Sequence, residues 1–503
     1  MSDRSKLLIF IVAYNAERHI EKVLERIPKD TLEKYDYEIL IIDDESKDAT
    51  FERALGYQKK HPELNITVLY NPQNQGYGGN QKLGYHYAKI NNYDVVLLLH
   101  GDGQYAPEEF ERLIIPIIDG KADAVFGSRM LNKKDALKGK MPYYKFVGNI
   151  ILTQMQNKIL GTHLSEFHSG YRAYNVKALT QLPIERNSND FHFDTQIIIQ
   201  LIMAKMKILE VPIPTYYGDE VCYVNGTKYA FNIIKASIHS RLQQLGIYYK
   251  REYDLDMQEF PYKLKLGYTS SHTLAIDAVP AGAKVLDIGA GQGLVSRELL
   301  KKGCKVTGLD QLKNVSQENF SDYIQLNVDS DPFINEIDQY QIILILDIIQ
   351  QLSSPESLLD QIRFNSKLSP VKIIMTTPNI GFFIVRLQLF FGGFNYGKKG
   401  ILDFTHKRLF TFKSLKRLCE QSGFHILKIK GIPAPFPEAL GNHWYSNSLV
   451  KLNQLFIRLR KTLFSYQIYV EMEPMPMVQH LMKSTLRQSE TKKNNINKVS
   501  MNL

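Results

Sequence analysis

Two stretches of sequence indicate the fold class, DVVLLLHGDGQ at residues 94–104 and KVLDIGAGQG at residues 284–293. Each is a short apolar run that ends abruptly on polar residues or glycines. Such a run predicts a buried strand, and the residues that follow it lie at the strand's carboxyl end. Open α/β sheets bind their ligands at that edge. The chain is therefore expected to contain two α/β sheets, each with its own ligand site.

Length and composition agree with a globular protein of more than one domain. The chain has 503 residues, of which 44% are hydrophobic and 23% are charged, and chains of this length divide into several cores. We predict a first α/β domain, a linker, a second α/β domain, a basic amphipathic extension and a disordered tail. Their expected bounds are 1–250, 251–272, 273–445, 446–487 and 488–503.

Cysteines and hydropathy bear on the compartment. Cys222, Cys304 and Cys419 are far apart and odd in number, which favours a reducing compartment over a disulfide framework. The longest apolar candidate, Ile380–Phe394, is too short to span a bilayer and contains Arg386. We expect a cytoplasmic protein that does not cross the membrane, with attachment to the cytoplasmic face left open.

The extension and the tail carry much of the net charge of +10, since residues 451–503 contain nine Lys or Arg and three Glu. Apolar residues recur there at spacings of three and four, at Leu449, Leu452, Phe456, Leu459 and Leu463. This pattern predicts an amphipathic helix that either lies on an anionic membrane surface or packs on the second domain. No motif predicts a nucleic-acid partner.

The first domain alternates strands and helices, which predicts a parallel sheet. The predicted strands are Leu7–Ala13, Tyr37–Ile42, Val68–Tyr70, Asp94–Leu99 and Ala122–Phe126. Asp43 and Asp44 follow the second strand, where carboxylates accept hydrogen bonds from a base or a ribose. The alternative is that these acids only cap the next helix.

Further polar residues of the first domain suit a diphosphate. Asp102 and Gln104 follow the fourth strand and are oxygen donors for a divalent cation, Mg²⁺ or Mn²⁺. Arg129 and Arg172 offer bidentate contacts to phosphate, although an arginine is often only a surface ion pair. The ordered set predicts a nucleotide-sugar donor site.

At residues 5–240 the chain resembles a family 2 glycosyltransferase of the GT-A fold, and more closely the dolichyl- and polyprenyl-phosphate sugar synthases. The matching segments are IVAYNAE (11–17), DDESKD (43–48), NQGYG (74–78), GDGQ (101–104), GSR (127–129), EFHSGYR (166–172) and EVPIP (210–214). The resemblance implies inverting transfer of a sugar to a polyprenyl phosphate or a growing glycan, and it places Gly76 in the donor site.

Two departures from that family affect the chemistry. His100 stands where the family has the first Asp of an Asp-x-Asp metal motif, so metal binding would use His100, Asp102 and Gln104. Glu166 stands three residues before Ser169, where the family usually has Asp. An anionic lipid phosphate needs no strong base, whereas a sugar hydroxyl does. The candidate bases are Glu166 and Asp194, and the latter is alternatively a helix cap.

The second domain restarts the pattern with strand Lys284–Ile288, a glycine loop, helix Leu294–Lys302 and strand Cys304–Leu309. Glycines let the backbone approach a ligand, and an acid at the end of the second strand binds ribose hydroxyls. Asp310 has that position. The expected ligand-binding residues are Asp287, Gly289, Gly291, Gly293 and Asp310.

Residues 275–430 resemble a Rossmann-like class I methyltransferase that uses S-adenosylmethionine. The resemblance rests on DIGAGQG (287–293), IILILD (342–347), TTPN (376–379) and Gly423-Phe424. It implies an adenine contact for Asp329, with Asp331 as an equal alternative. Gln350-Gln351 replaces a Glu-His pair of the family. His406 matches a histidine of related enzymes and is either a general base or a structural residue.

We therefore predict a bifunctional transferase. It transfers a sugar and also methylates an oxygen atom of a product in the same glycan pathway. One alternative is a methyltransferase with an inactive, glycan-binding first domain. Another is a non-catalytic scaffold in the assembly of an envelope glycan. A third keeps only the first domain active and leaves the second as a cofactor-binding regulator.

Overall fold

The computed structural model describes residues 4–214, 216–217, 224–255, 263–331, 337–366 and 371–500. It divides into two compact units, Met1–Gln244 with Tyr249–Phe260 and Leu245–Tyr248 with Pro261–Leu503. Of the predicted linker, residues 256–262 lie outside the described residues. Among the described helices, none combines the length and the hydropathy needed to cross a bilayer.

The first unit is a seven-stranded sheet with helices on both faces. Its strands are β1 Lys6–Ala13, β2 Asp36–Asp43, β3 Ile66–Tyr70, β4 Val95–His100, β5 Ala124–Ser128, β6 Arg172–Asn175 and β7 Ile208–Pro212. Its helices are α1 Ile20–Glu25, α2 Lys29–Leu32, α3 Thr50–Lys60, α4 Tyr77–Ile90, α5 Phe110–Ile118, α6 Lys133–Lys138, α7 Tyr143–Leu160, α8 Val176–Leu179, α9 Phe193–Met203 and α10 Gly226–Gln244.

The strand order is β3-β2-β1-β4-β6-β5-β7. Alternate residues of β1 are buried on opposite faces, with Leu7 and Ile9 in one core and Leu8 and Phe10 in the other. The α/β prediction is confirmed, but the sheet is mixed because β6 runs antiparallel to β4 and β5. The apolar pattern of a strand buried on both faces does not encode its direction.

Close packing of α4 on β1 gives a test of this core. A Cβ at Gly84 would lie 2.1 Å from Cε1 of the buried Phe10 ring. We expect Gly84→Ala to lower the free energy of unfolding by about 1–3 kcal/mol through overpacking. The matched control is Gly56→Ala on α3, where no atom lies within 4 Å and helix propensity predicts a gain of up to about 1 kcal/mol. Thermal denaturation in which the two variants shift equally would contradict this packing.

The second unit is also a seven-stranded sheet, in the order β10-β9-β8-β11-β12-β14-β13. Its strands are β8 Lys284–Ile288, β9 Lys305–Asp310, β10 Asp322–Gln325, β11 Ile342–Leu346, β12 Lys372–Pro378, β13 Phe424–Ile432 and β14 Gln467–Pro474. Its helices are α11 Ser271–Ala278, α12 Leu294–Lys301, α13 Pro355–Asn365, α14 Phe383–Phe390, α15 Phe412–Gln421, α16 Phe436–Leu440, α17 Trp444–Leu459, α18 Lys461–Phe464 and α19 Val478–Ser500.

The carboxyl-terminal region differs from the sequence prediction in two ways. Strand β14 lies within the expected extension 446–487, yet it inserts between β12 and β13 and is antiparallel to both. The extension is therefore partly an integral piece of the second sheet. The tail expected to be disordered from 488 onward continues helix α19 to Ser500, consistent with its many Lys, Gln, Arg and Glu residues, which have good helix propensity.

Candidate active sites

Sheet register brings the strand-end residues of the first unit together. Strand β1 lies between β2 and β4, with Ala13 paired to Asp43 and Val12 paired to His100. Asp43 and His100 therefore flank the carboxyl end of β1. The loops after β2 and β4 both begin at this edge, which is the binding edge of an open α/β sheet.

Asp43 has one carboxylate oxygen without a hydrogen-bond donor at this edge. Its Oδ1 accepts from the Ser46 amide at 2.8 Å, while its buried Oδ2 has no hydrogen-bond partner among the described residues. Burial raises the pKa of Asp43, and the Ser46 hydrogen bonds oppose that shift. A buried carboxylate oxygen without a donor is rare, and a base or ribose donor of a nucleotide fits it.

Unlike Asp43, Asp44 uses its side chain to hold the neighbouring loop. Its Oδ1 accepts from Asn71 Nδ2 at 2.7 Å and from the Gln75 amide at 2.8 Å. Gly76 follows with a φ of +76°, and a Cβ there would lie 2.7 Å from the carbonyl oxygen of Asn189. The loop that begins α4 is thus fixed against the sheet edge and needs glycine at position 76.

His100 belongs to a partly buried chain of hydrogen bonds with Tyr77 and Asp194. The Tyr77 hydroxyl donates to Asp194 Oδ2 at 3.0 Å and lies 3.1 Å from His100 Nε2. Since the hydroxyl has one proton and gives it to Asp194, His100 Nε2 is the donor in the second bond. Burial lowers the pKa of His100, so the ring is neutral and its Nδ1 carries the lone pair.

The expected metal ligands are few but chemically suitable. Asp102 is half-buried, and its Oδ1 accepts from the Gln104 amide at 3.0 Å. The part of the chain that the structure describes has no group of three or more His, Cys, Asp or Glu side chains arranged for a metal ion. Mg²⁺ in phosphate-transfer sites commonly takes one or two carboxylates and completes its shell with substrate and water. Asp102 and Gln104 carry side-chain oxygens that fit that pattern, and a metal contact through His100 stays a prediction.

Glu166 and Arg129 form a buried ion pair, with both side chains almost fully enclosed. Glu166 also accepts from the Arg129 amide at 2.7 Å and from Asn149 Nδ2 at 2.7 Å, and Arg129 donates to the His168 carbonyl at 3.0 Å. The paired guanidinium lowers the pKa of Glu166 against the effect of burial. These contacts do not favour the proposed base role of Glu166 or the expected phosphate contact of Arg129.

Arg172 was also expected to bind phosphate, and its side chain is likewise occupied by buried contacts. Its side chain is 1% exposed and donates to the carbonyl oxygens of Ser169, Phe167 and Asp194. A guanidinium in that position holds the loop before β6 against α9 and has no face open to a phosphate. Asp194 is likewise no helix cap, because it lies inside the first turn of α9 and the cap residue is His192.

The glycine loop of the second unit has the backbone that its sequence predicts. Gly289, Gly291 and Gly293 have φ values of +75°, +56° and +73°, which favour glycine. A Cβ at Gly289 would lie 2.9 Å from Ile348 Cβ. Asp310 ends β9 and accepts from the Gly291 amide at 2.8 Å and the Leu312 amide at 3.1 Å. Since a carboxylate accepts about four hydrogen bonds, it retains capacity for ribose hydroxyls, and the loop fits S-adenosylmethionine.

Asp287 lies beneath this loop and gives a prediction about pH. Burial raises its pKa from 3.8 to about 6, and the Ser296 hydroxyl donates to it at 2.7 Å. The folded unit therefore keeps a proton that the unfolded chain releases, so the free energy of unfolding falls as pH rises from about 4 to about 6.

We expect Asp287→Asn to remove this fall and to stabilise the second unit above pH 6 by up to about 3 kcal/mol. Urea unfolding across this pH range measures the difference. The exposed Asp360 on α13 supplies the control, Asp360→Asn. Parallel curves for the wild type and Asp287→Asn would show that burial does not shift this carboxyl.

Asp329 is engaged away from the glycine loop. It accepts from the amide and hydroxyl of Ser353 at 2.7 and 2.8 Å and from Lys407 Nζ at 2.7 Å. The Lys407 hydrogen bond lowers its pKa to about 2. The adenine contact remains a prediction, and the observed role of Asp329 is to join the segments around Ser353 and Lys407.

Asp347 is a candidate site residue that sequence reasoning missed. It directly follows β11 and has a φ of +54°, a left-handed conformation that Asp tolerates. Gln467 Nε2 donates to both of its carboxylate oxygens at 2.9 and 2.8 Å, and the Thr376 hydroxyl donates at 2.9 Å. The acid after IILIL was the available signal, whereas the contribution of Gln467 from β14 was not visible in the pattern.

His406 is brought to the end of β11 by Gln350. The amides of Lys407 and Arg408 donate to the Gln350 carbonyl at 2.9 and 3.0 Å, and Gln350 Nε2 donates to the Asp347 carbonyl at 2.8 Å. His406 Nδ1 lies 3.0 Å from the Ile401 carbonyl oxygen. A carbonyl only accepts, so Nδ1 carries the proton and Nε2 has the basic lone pair. This tautomer suits a general base.

Comparisons with known proteins cover both units. Residues 8–182 match the model of glycosyl transferase family 2, and residues 265–429 match that of a methyltransferase domain. The chain is 31% identical over 230 residues to the UDP-N-acetylglucosamine–dolichyl-phosphate N-acetylglucosaminyltransferase of Methanococcus voltae, covering 44% of this chain and 88% of that protein. It is 27% identical over 212 residues to the undecaprenyl-phosphate mannosyltransferase of Micrococcus luteus, covering 41% and 82%. Glucosyl-3-phosphoglycerate synthase from Mycobacterium tuberculosis overlaps with a TM-score of 0.35 and 17% identity, covering 47% of this chain and 80% of that chain.

Proposed function

Since the chain belongs to glycosyltransferase family 2 through its first unit and has a methyltransferase domain in its second, we propose that it performs two group transfers in one glycan pathway. The first unit transfers a sugar, with inversion, from a nucleotide-sugar to a polyprenyl phosphate. The second unit transfers a methyl group from S-adenosylmethionine to an oxygen of the same glycan or its product.

One observation carries the choice of acceptor. Both candidate bases of the first unit are already engaged, Glu166 by Arg129 and Asn149, and Asp194 by Tyr77 and by Gln81 Nε2 at 3.1 Å. A sugar hydroxyl acceptor must lose a proton to a base. A phosphate acceptor is already an anion, so positioning and charge neutralisation suffice. The occupied carboxylates therefore favour the lipid phosphate over a growing glycan.

Different residues at the edge of the first sheet bind different parts of the nucleotide-sugar donor. Asp43 Oδ2 accepts a hydrogen bond from the nucleoside, and the loop held by Asp44 and Gly76 bounds the same side. Asp102, Gln104 and His100 would hold a divalent cation. When bound, the cation neutralises charge that develops on the diphosphate leaving group.

The Asp194–Tyr77–His100 chain sets the tautomer of the histidine, which gives a prediction. Tyr77→Phe removes one hydroxyl and releases His100 Nε2, so we expect the Mn²⁺ concentration for half-maximal sugar transfer to rise about 10–100-fold. The matched control is Tyr57→Phe, whose buried hydroxyl has no hydrogen-bond partner among the described residues. An unchanged Mn²⁺ requirement in Tyr77→Phe would separate His100 from metal binding.

In the second unit, bound S-adenosylmethionine supplies an activated methyl group. Gly289, Gly291 and Asp310 position the cofactor, and Gln350 docks the His406 segment at the end of β11. His406 Nε2 takes the proton of the acceptor hydroxyl as its oxygen is methylated. This arrangement replaces the base that is missing at Gln350-Gln351.

Thermal denaturation with ligands tests the proposal directly. UDP-, GDP- and dTDP-sugars are added with and without Mn²⁺ or Mg²⁺, and S-adenosylmethionine is added separately. We expect one nucleotide-sugar to stabilise the protein in the presence of metal and S-adenosylmethionine to stabilise it independently. Stabilisation by S-adenosylmethionine alone would instead favour a methyltransferase with an inactive first unit.

A further inference from the structure

Two helices of the second unit leave their large apolar side chains in solvent. Helix α14 exposes Phe383, Leu387 and Phe390 at spacings of four and three, and Phe390 is 83% exposed. Helix α17 exposes Leu452, Leu455, Phe456 and Leu459, and Leu459 is 75% exposed. Contiguous exposed patches of this kind are uncommon in soluble proteins unless they mark an interaction site.

Aromatic contacts join the two helices into one surface. The Phe383 ring of α14 lies 5.9 Å from the Phe464 ring of α18, and Phe464 lies 5.2 Å from Phe456 of α17. Asn379 Nδ2, just before α14, donates to the Thr462 and Ser465 carbonyl oxygens at 3.2 and 2.8 Å. We call the exposed side of α14, α17 and α18, with Phe391 and Phe394, the aromatic–basic surface.

The way α17 packs rules out the simplest explanation for its amphipathic pattern. A helix that covers a core buries its large apolar residues. Helix α17 instead buries Ser446, Val450 and Asn453, and it leaves Leu452, Leu455, Phe456 and Leu459 exposed. The second unit therefore leaves part of the predicted apolar face of α17 uncovered.

The sequence segments that form this surface carry charged residues of one sign. Segments 379–402 and 439–470 contain no Asp or Glu, although the whole chain has 52 acids against 62 Lys and Arg. They contain seven cations, Arg386, Lys398, Lys399, Lys451, Arg458, Arg460 and Lys461. Exposed Phe, Leu and Trp side chains beside Lys and Arg are the composition of segments that lie in the interface of an anionic membrane.

We propose that the aromatic–basic surface binds the protein to an anionic lipid bilayer. The apolar side chains of α14 and α17 enter the headgroup region, and Arg458, Arg460 and Lys461 contact lipid phosphates. A second copy of the chain fits less well, because a two-fold interface places like charges opposite each other. The inference deepens the proposed function, on which it rests for a lipid substrate, since a polyprenyl phosphate acceptor lies in such a bilayer.

Flotation of the full-length protein with vesicles tests the surface without any acceptor lipid. We expect binding to vesicles of phosphatidylcholine with phosphatidylglycerol, weaker binding at high salt, and little binding to phosphatidylcholine alone. The triple variant Arg458→Glu, Arg460→Glu, Lys461→Glu is expected to lower the partition coefficient about a hundredfold, at about fivefold per cation. The charge-matched control is Lys59→Glu, Lys60→Glu, Lys89→Glu, on exposed positions of α3 and α4, and it is expected to bind like the wild type.

A second variant tests the apolar half of the surface. Phe390→Ser with Leu459→Ser changes two exposed residues, so S-adenosylmethionine should still stabilise the variant while vesicle binding falls. Equal loss in the Lys59, Lys60, Lys89 control, or failure of the wild type to float with anionic vesicles, would overturn the inference. So would a dimer, detected by sedimentation, that Leu459→Ser dissociates. Vesicle binding without sugar transfer would leave this inference standing and reject the proposed acceptor.

Discussion

Asp102→Asn is expected to lower the rate of sugar transfer by about a thousandfold and to leave methyl transfer unchanged. The side chain is the only carboxylate in HGDGQ, because His100 replaces the other acid of the motif. Asn keeps an oxygen that can accept from the Gln104 amide, so the loop conformation is preserved. It loses the negative charge that holds a cation against the diphosphate, an electrostatic contribution that is worth about 10²–10³ in rate.

The control for Asp102→Asn is Asp119→Asn, an exposed acid of the same unit that pairs with Lys121. We expect the control to retain wild-type sugar transfer at every Mn²⁺ and Mg²⁺ concentration. Initial rates with labelled nucleotide-sugar measure both variants. Full activity of Asp102→Asn would show that Asp102 does not serve the donor diphosphate and would favour a scaffold role for the first unit.

His406→Asn is expected to lower the methyl-transfer rate by about 10²–10⁴-fold, the usual contribution of a general base. The amide of Asn can still donate to the Ile401 carbonyl, as His406 Nδ1 does, but no basic nitrogen remains. Cofactor binding depends on the glycine loop and Asp310, so the Kd for S-adenosylmethionine should not change. A fall in turnover with unchanged cofactor affinity distinguishes a base from a structural histidine.

His425→Asn on β13 is the matched control, because this histidine is exposed. We expect it to bind S-adenosylmethionine and to turn over like the wild type. If His406→Asn retains turnover, the acceptor either needs no base or uses another group at the end of β11. Asp347 then becomes the next residue to replace, although its carboxylate already accepts from Gln467 and Thr376.

Strand-end motifs were predictable from sequence because they are local. Each of these motifs is an apolar run followed at once by polar residues or glycines, and the run forms a buried strand. Asp43, His100, Gly289 and Asp310 therefore lie at the expected sheet edges. The family resemblance and the α/β class follow from the same local patterns. The local patterns do not predict which distant residues these side chains contact in the fold.

Buried ion pairs and hydrogen bonds explain why several site residues differ from the sequence prediction. Arg172 and Arg129 look like phosphate ligands in sequence, yet carbonyl groups and Glu166 engage them in the fold. Strand β14 escaped prediction because it follows β13 by more than thirty residues and inserts antiparallel beside β12. A periodic pattern gives the apolar and polar sides of a helix, but not which side faces the protein, as α17 illustrates.

Mass spectrometry of the lipid products from one reaction tests whether the two units act in one glycan pathway. Purified protein is incubated with polyprenyl phosphate, the nucleotide-sugar that stabilises it, a divalent metal ion and S-adenosylmethionine with a deuterated methyl group. We expect a polyprenyl-phosphate-linked sugar, and a deuterated methyl group on that glycan or on a product derived from it. Recovery of unmodified polyprenyl phosphate together with intact nucleotide-sugar would contradict this expectation.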